Sequence, residues 1–64
     1  MKRVDLISYL RKNGCVFIRE GNKHSVFLNP ALSRTSTVPR HVEINTFLGR
    51  KICRDLGVPE IKMK

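Results

Sequence analysis

The segment CVFIREGNKHSVFLN, residues 15–29, contains the pattern that determines the fold. Residues 15–19 form a run of β-branched and aromatic side chains, and residues 23–28 form a second run that is also rich in apolar side chains. The sequence Glu-Gly-Asn at residues 20–22 is typical of a hairpin turn. We therefore predict two antiparallel strands, 15–19 and 23–28, and the Asn-Pro pair at residues 29–30 ends the second strand.

One helix is predicted before these strands and one after them. In residues 3–13 the spacing of Leu6, Ile7 and Leu10 is helical, and Gly14 follows at a position where a left-handed residue closes a helix. The second helix begins at a cap formed by Asn45 or Thr46 and ends before Gly57. Its apolar residues recur four positions apart: Leu48, Ile52 and Leu56.

A third strand is predicted over residues 34–38. It follows a loop at residues 30–33, and Pro39 ends it because proline has no N–H to donate to a sheet ladder. The resulting order is α-β-β-β-α, an α+β fold in which a three-stranded antiparallel sheet carries two helices on one face. This arrangement resembles that of double-stranded-RNA-binding domains, a likeness that concerns the fold and not the function.

Charge is the strongest feature of the composition. The 64 residues include 13 Lys and Arg against 5 Asp and Glu, a net charge of +8, and the isoelectric point is about 10.4. Such an excess is the electrostatic footprint of a nucleic-acid-binding protein, because basic side chains replace the counterions of phosphates. Binding to an anionic membrane surface is the weaker alternative. Neither predicted helix has a broad apolar face on one side and a purely basic face on the other.

The length of the chain limits both the core and the site. We expect one domain over residues 1–64, with residues 60–64 as a short basic tail. A chain of this size buries about 60% of the surface that its unfolded form exposes, so its stability is marginal. There is no room for a deep cofactor pocket, and we expect an open surface site without a cofactor.

The cysteines and histidines do not form a metal-binding pattern. Cys15 and Cys53 lie in apolar segments, where a free thiol behaves as a small hydrophobic side chain. Together with His24 and His41 they show no zinc-ligand spacing, so we expect no metal. The sequence also has no secretory signal pattern and no apolar run of transmembrane length. We therefore expect a protein of the reducing cytoplasm.

His24 is the residue best suited to chemistry on RNA. If Phe27 turns towards the core, His24 and Val26 point to the opposite, open face of the sheet. RNA carries its own nucleophile, the ribose 2′-hydroxyl, and histidine can accept or donate a proton at neutral pH. Lys23 beside it can offset the charge that develops on the phosphate. Taken alone the pattern is weak, because most exposed polar residues have no chemical role.

The sequence Val-Pro-Arg-His at residues 38–41 has a structural and a functional interpretation. Val38 is expected to fill the core and Pro39 to end an edge strand. Arg40 is expected to bind a phosphate of RNA, whereas His41 fits either the approach to the second helix or a contact in the active site. Further basic residues are predicted to extend this RNA-binding surface from the second helix: Arg50, Lys51 and Arg54.

Three phenylalanines could stack on bases of a bound nucleic acid: Phe17, Phe27 and Phe47. Their positions in apolar strands and in a helix favour packing in the core instead.

Four short motifs follow one another along the chain. They are Gly21-x-x-His24-x-x-Phe27, Asn29-Pro30, Val38-Pro39-Arg40-His41-x-Glu43-Ile44, and Ile52-Cys53-Arg54-x-Leu56-Gly57-Val58. In this order, and with a first helix that ends in Asn13-Gly14, the sequence resembles the HicA family over residues 4–59. Many HicA proteins carry the turn G-S-H-x-x-F, whereas here one more residue precedes the histidine and the H-x-x-F spacing is retained.

The resemblance implies a fold, an activity and a partner. HicA proteins have a fold like that of double-stranded-RNA-binding domains, and they are the toxins of bacterial toxin–antitoxin pairs. They cleave messenger RNA and are neutralised by a cognate HicB antitoxin. The resemblance therefore implies a metal-independent endoribonuclease in which His24 corresponds to the family's catalytic histidine, with mRNA as substrate and a HicB-type antitoxin covering the active face.

Two other functions are compatible with the charge and the fold. A non-catalytic double-stranded-RNA-binding module would bind RNA in a salt-sensitive way and leave it intact. A small ribosome-associated component would copurify with ribosomes and would not arrest growth.

Overall fold

The protein is described by a computed structural model over residues 1–61. Its elements are helix α1 (Arg3–Lys12), strands β1 (Val16–Glu20), β2 (His24–Asn29) and β3 (Arg34–Pro39), and helix α2 (Thr46–Leu56). The predicted α-β-β-β-α order is confirmed. Of the basic tail predicted at residues 60–64, positions 62–64 lie outside the described residues.

Both helices end in the same hydrogen-bonded motif. After α1, Gly14 adopts a left-handed φ of +88° and donates its N–H to the carbonyl of Arg11 at 3.0 Å. Cys15 donates its N–H to the carbonyl of Leu10 at 3.0 Å, which completes a Schellman motif. Gly57 closes α2 in the same way, with a φ of +73°. The closing roles predicted for both glycines are confirmed.

Asn45, the first of the two predicted caps, precedes helix α2, and its side-chain oxygen accepts the N–H of Phe47 at 2.8 Å. The four-residue spacing of Leu48, Ile52 and Leu56 does not put all three on the buried face, since the side chain of Leu48 is 36% exposed. Gly49 lies there instead, and a Cβ at that position would meet Met1 Cε at 2.5 Å. The buried face of α2 consists of Gly49, Ile52, Cys53 and Leu56.

Strands β1 and β2 form an antiparallel hairpin with a bulge in β1. Phe17 pairs with Phe27, but Arg19 pairs with Val26, so β1 contains one extra residue between these pairs. The turn comprises residues 21–23, so Lys23 lies in the turn and not in the strand as predicted. All five residues of β1 are exposed, as befits an edge strand.

Strand β2 is central, because the sheet has the order β1-β2-β3. Its pairing with β3 is regular, from His24 opposite Pro39 at one end to Asn29 opposite Arg34 at the other. Pro39 is thus the last residue of β3, one position beyond the predicted strand end. It is tolerated there because β3 is an edge strand.

The core lies between the sheet and the two helices. Side chains alternate along β2, so Ser25, Phe27 and Asn29 turn towards the helices and are buried, while His24 turns away and is exposed. Val26 shares the outer face with His24 but is only 9% exposed, because its strand has neighbours on both sides. The main core cluster consists of Leu6, Leu10, Cys15, Phe27, Val38, Ile44, Ile52, Cys53, Leu56 and Val58.

The two cysteines are free and belong to this core. Burial raises the pKa of the Cys15 thiol, and the nearby Cys53 raises it further. Burial likewise raises the pKa of the Cys53 thiol. Protonated, buried thiols are poor nucleophiles, so both act as the small hydrophobic side chains that the sequence predicts.

The three phenylalanines differ in burial. Phe27 is 2% exposed, whereas Phe17 is 45% and Phe47 77% exposed. The rings of Phe17 and Phe27 pack edge to face with their centroids 5.8 Å apart. The prediction of core packing is therefore confirmed for Phe27 and wrong for Phe47, while Phe17 is half exposed and reaches the core through its contact with the ring of Phe27. Phe47 precedes the buried Gly49 by two residues, which turns it roughly 200° around the helix from that buried position.

Asn29 is a buried polar side chain that connects β2 with α2. Its Nδ2 donates to the carbonyl of Leu56 at 2.7 Å, and its Oδ1 accepts the N–H of Ala31 at 3.2 Å. The first bond satisfies a carbonyl at the end of α2 that has no partner within the helix. Asn29 thus stabilises the helix end in addition to forming the turn that the Asn-Pro pair predicts.

Candidate active site

An open pocket of about 330 Å³ lies at the end of the sheet where β2 begins and β3 ends. Its lining residues are Asn22, Lys23, His24, Arg40 and His41. All five are exposed, and the volume is at the small end of the range for ligand sites. The pocket is therefore a small, open depression on the surface.

The register of the sheet brings the two sequence motifs of this pocket together. His24 is the first residue of β2, and its partner across the ladder is Pro39. The chain therefore leaves β3 beside the hairpin turn, and Arg40 and His41 follow directly. The predicted Gly-x-x-His and Val-Pro-Arg-His motifs meet at this end of the sheet.

Gly21 shapes the turn through a close approach of two backbone segments. Its N–H donates to the carbonyl of His24 at 2.6 Å, and a Cβ at this position would lie 3.2 Å from the same oxygen. That distance is tighter than nine in ten real Cβ contacts, so the neighbouring backbone would have to shift. A side chain here would push the start of β2 away, so the glycine keeps His24 in its place.

Arg3, at the start of α1, forms hydrogen bonds to the two strands that carry the pocket residues. Its Nη2 donates to Ser25 Oγ at 2.6 Å, and its Nε donates to the carbonyl of Pro39 at 2.9 Å. Ser25 is 1% exposed and follows His24 directly, while Pro39 precedes Arg40. One guanidinium thus holds both strands that present the pocket residues.

Glu20 extends this network to the pocket itself. Its Oε1 accepts a hydrogen bond from Ser25 Oγ at 2.6 Å, and its Oε2 lies 3.4 Å from Nη1 of Arg40. Both side chains of the Glu20–Arg40 ion pair are exposed to solvent, so the pair adds little to the stability of the fold. The pair keeps the Arg40 guanidinium near the pocket only weakly, so another anion can replace Glu20.

The sequence reasoning missed Arg3, Glu20 and Ser25. The contact between Arg3 and Ser25 joins residues 22 positions apart, and no local pattern signals it. A signal existed for Glu20, because the last residue of β1 lies opposite Ser25 once the hairpin register is known.

Four of the seven predicted site residues line the pocket, and the three on α2 do not: Arg50, Lys51 and Arg54. Lys51 Nζ lies 3.0 Å from Asp55 Oδ2, and Arg54 Nη1 lies 2.8 Å from Glu60 Oε2. Helix α2 packs on the face of the sheet opposite to the one that His24 occupies. A contact between RNA and these three residues stays a prediction.

The chemical groups of the pocket favour an anionic ligand. Two imidazoles lie together with one ammonium and one guanidinium group, and the last two attract phosphate. Within residues 1–61, no group of three or more His, Cys, Asp or Glu side chains could hold a metal ion. Neither helix in the same part of the chain is long and apolar enough to cross a membrane.

The fold and the pocket define a small basic α+β protein with imidazole and cationic groups at one end of its sheet. The family model described as HicA toxin of bacterial toxin–antitoxin matches residues 4–58, so the chain belongs to the HicA toxin family. This confirms the resemblance found in the sequence. It places the protein among the toxins of toxin–antitoxin pairs, and toxins of the HicA family are generally ribonucleases that cleave messenger RNA. No curated protein and no solved structure matches the chain.

Proposed function

We propose that this protein is the toxin of a type II toxin–antitoxin pair and an endoribonuclease that cleaves messenger RNA in the cytoplasm. His24 is its catalytic residue, and the reaction needs no metal. One observation carries this proposal: the pocket places His24 beside Lys23 and Arg40 in a chain of the HicA toxin family.

The pocket supplies what cleavage through the ribose 2′-hydroxyl requires. A phosphate of RNA binds between Arg40 and Lys23, where it displaces the weakly held carboxylate of Glu20. The 2′-hydroxyl then attacks this phosphate, and His24 transfers one of the protons involved. The cationic groups stabilise the crowded phosphate in the transition state. The products are a 2′,3′-cyclic phosphate and a 5′-hydroxyl.

We expect the purified protein to cleave messenger RNA in the presence of a chelator. The measurement is gel electrophoresis of RNA after incubation.

A Lys23→Ala variant should bind RNA more weakly, because it loses one phosphate contact. The slope of the logarithm of the binding constant against the logarithm of the salt concentration should become smaller by about 1. The matched control is Lys12→Ala, an exposed lysine in the last turn of α1. RNA that stays intact although the protein binds it would contradict the proposal and favour the non-catalytic RNA-binding module.

The proposed partner is an antitoxin of the HicB type that covers the pocket. The toxin has a net charge of +8, and its pocket is open, so an acidic protein surface both attracts it and blocks RNA. Binding also adds stability to a small domain.

Modification of histidine by diethyl pyrocarbonate tests this placement. Both histidines are exposed in the free toxin and should react at comparable rates. In the complex with the antitoxin, we expect His24 and His41 to be protected. Reaction of His24 at an unchanged rate would show that the antitoxin acts elsewhere.

A further inference from the structure

The pocket contains a second imidazole that the proposed function leaves without a defined role. His41 lines the same 330 Å³ pocket as His24, and both side chains are exposed. The two are close because His24 pairs with Pro39, two residues before His41. They are also the only two histidines of the chain.

Hydrogen bonds on both sides fix the segment that carries His41. Before it, the carbonyl of Pro39 accepts from Nε of Arg3 at 2.9 Å. After it, the carbonyl of Val42 accepts from the backbone N–H of Arg3 at 2.8 Å. Arg3 therefore holds the backbone on either side of residues 40–41. These bonds fix the backbone from which the His41 side chain projects into the pocket.

Cleavage through the 2′-hydroxyl needs two proton transfers, and one imidazole cannot perform both at the same moment. One group takes the proton of the 2′-hydroxyl, and another gives a proton to the departing 5′-oxygen. We propose that His41 is the second catalytic residue and that His24 and His41 divide these two transfers between them. This inference rests on the proposed ribonuclease function and specifies how its site works.

The step balances without any further reactant. A neutral imidazole removes the 2′-hydroxyl proton as the bond between 2′-oxygen and phosphorus forms. The bond between phosphorus and the 5′-oxygen breaks, and the imidazolium of the other histidine protonates that oxygen. Each histidine ends in the protonation state in which the other began, and exchange with water restores both.

The test is the pH dependence of kcat/KM for an oligoribonucleotide with one cleavage site. For the parent we expect a bell-shaped profile, which an acid and a base acting together produce. His24→Ala and His41→Ala should each lower the rate by a factor of about 10² to 10⁴. One variant should lose the fall in kcat/KM at acidic pH, and the other should lose the fall at alkaline pH.

Two controls separate this role from a structural one. Val42→Ala changes an exposed side chain next to His41 and should keep the parent's rate and profile. The charged groups that face the two imidazoles are Lys23, Arg40 and, through Arg40, Glu20. Glu20→Gln is a control for the shape of the profile and not for the rate, because Glu20 pairs with Arg40. Both limbs of the profile should remain, because they belong to the histidines. A limb that disappears in Glu20→Gln would contradict the proposal.

The outcomes for His41 are distinct from those for the proposed function. If the parent does not cleave RNA, the ribonuclease function itself is wrong. If the parent cleaves and His41→Ala keeps the full bell or loses the same limb as His24→Ala, only the division of roles is wrong. Affinity for a 2′-deoxy oligonucleotide, which cannot be cleaved, should stay within about threefold in a purely catalytic variant. A loss of affinity as large as the loss of rate would make His41 an RNA-binding residue only.

Discussion

Alanine in place of His24 is expected to lower the rate of RNA cleavage by a factor of about 10² to 10⁴, the usual contribution of a general acid or base. The side chain is exposed on the outer face of the sheet, at the start of β2. Exposed substitutions of this kind change stability by no more than about 0.5 kcal/mol, so the variant should fold. The measurement is the initial rate of RNA cleavage together with a thermal unfolding curve. In bacteria, induced expression of the variant should no longer arrest growth or deplete messenger RNA.

A matched control for this variant is Phe47→Ala, another exposed ring that lies outside the pocket. It should cleave RNA as the parent does. If His24→Ala cleaves RNA at the parent's rate, His24 is not catalytic, whatever the family implies. If His24→Ala is unfolded, Asn or Gln at this position replaces it in the test.

The second large effect concerns stability. Replacing Phe27 with alanine should cost about 3–5 kcal/mol, as is usual when a buried aromatic side chain is truncated. Phe27 is 2% exposed, belongs to the central strand and packs against the ring of Phe17. Small domains have total stabilities near the low end of about 5–15 kcal/mol, so much of the protein should unfold.

Urea denaturation followed by circular dichroism measures this loss. Phe47→Ala is again the control and should denature close to the parent's midpoint, because its ring is 77% exposed. Equal midpoints for Phe27→Ala and Phe47→Ala would show that the core does not lie between the sheet and the helices.

The fold was predictable because its signals are local. The hairpin, the glycines that close both helices and the proline at the end of β3 each act within a few residues. Both glycines lie where the sequence predicts them, and the three strands are found with bounds shifted by one residue. The errors concern side chains whose burial depends on distant partners. Leu48 is exposed because Gly49, packed against Met1, sets the rotation of α2.

The candidate site was predictable only in part, for the same reason. His24 and Arg40 were found from motifs and from chemical type, and sheet register then brought them together. The support from Arg3 depends on hydrogen bonds to Ser25 and Pro39, which a linear pattern does not contain. The role of His41 was open in the sequence, since only the fold shows that it shares a pocket with His24.

The chemistry of the cleavage products tests the central claim most directly. A defined RNA is incubated with the toxin in the presence of a chelator, and the new ends are identified by mass spectrometry. Attack by the 2′-hydroxyl, with a proton transfer by His24, predicts 2′,3′-cyclic phosphate and 5′-hydroxyl ends that His24→Ala does not produce. Fragments with 3′-hydroxyl and 5′-phosphate ends would mean that water is the nucleophile, and they would contradict this account of the site.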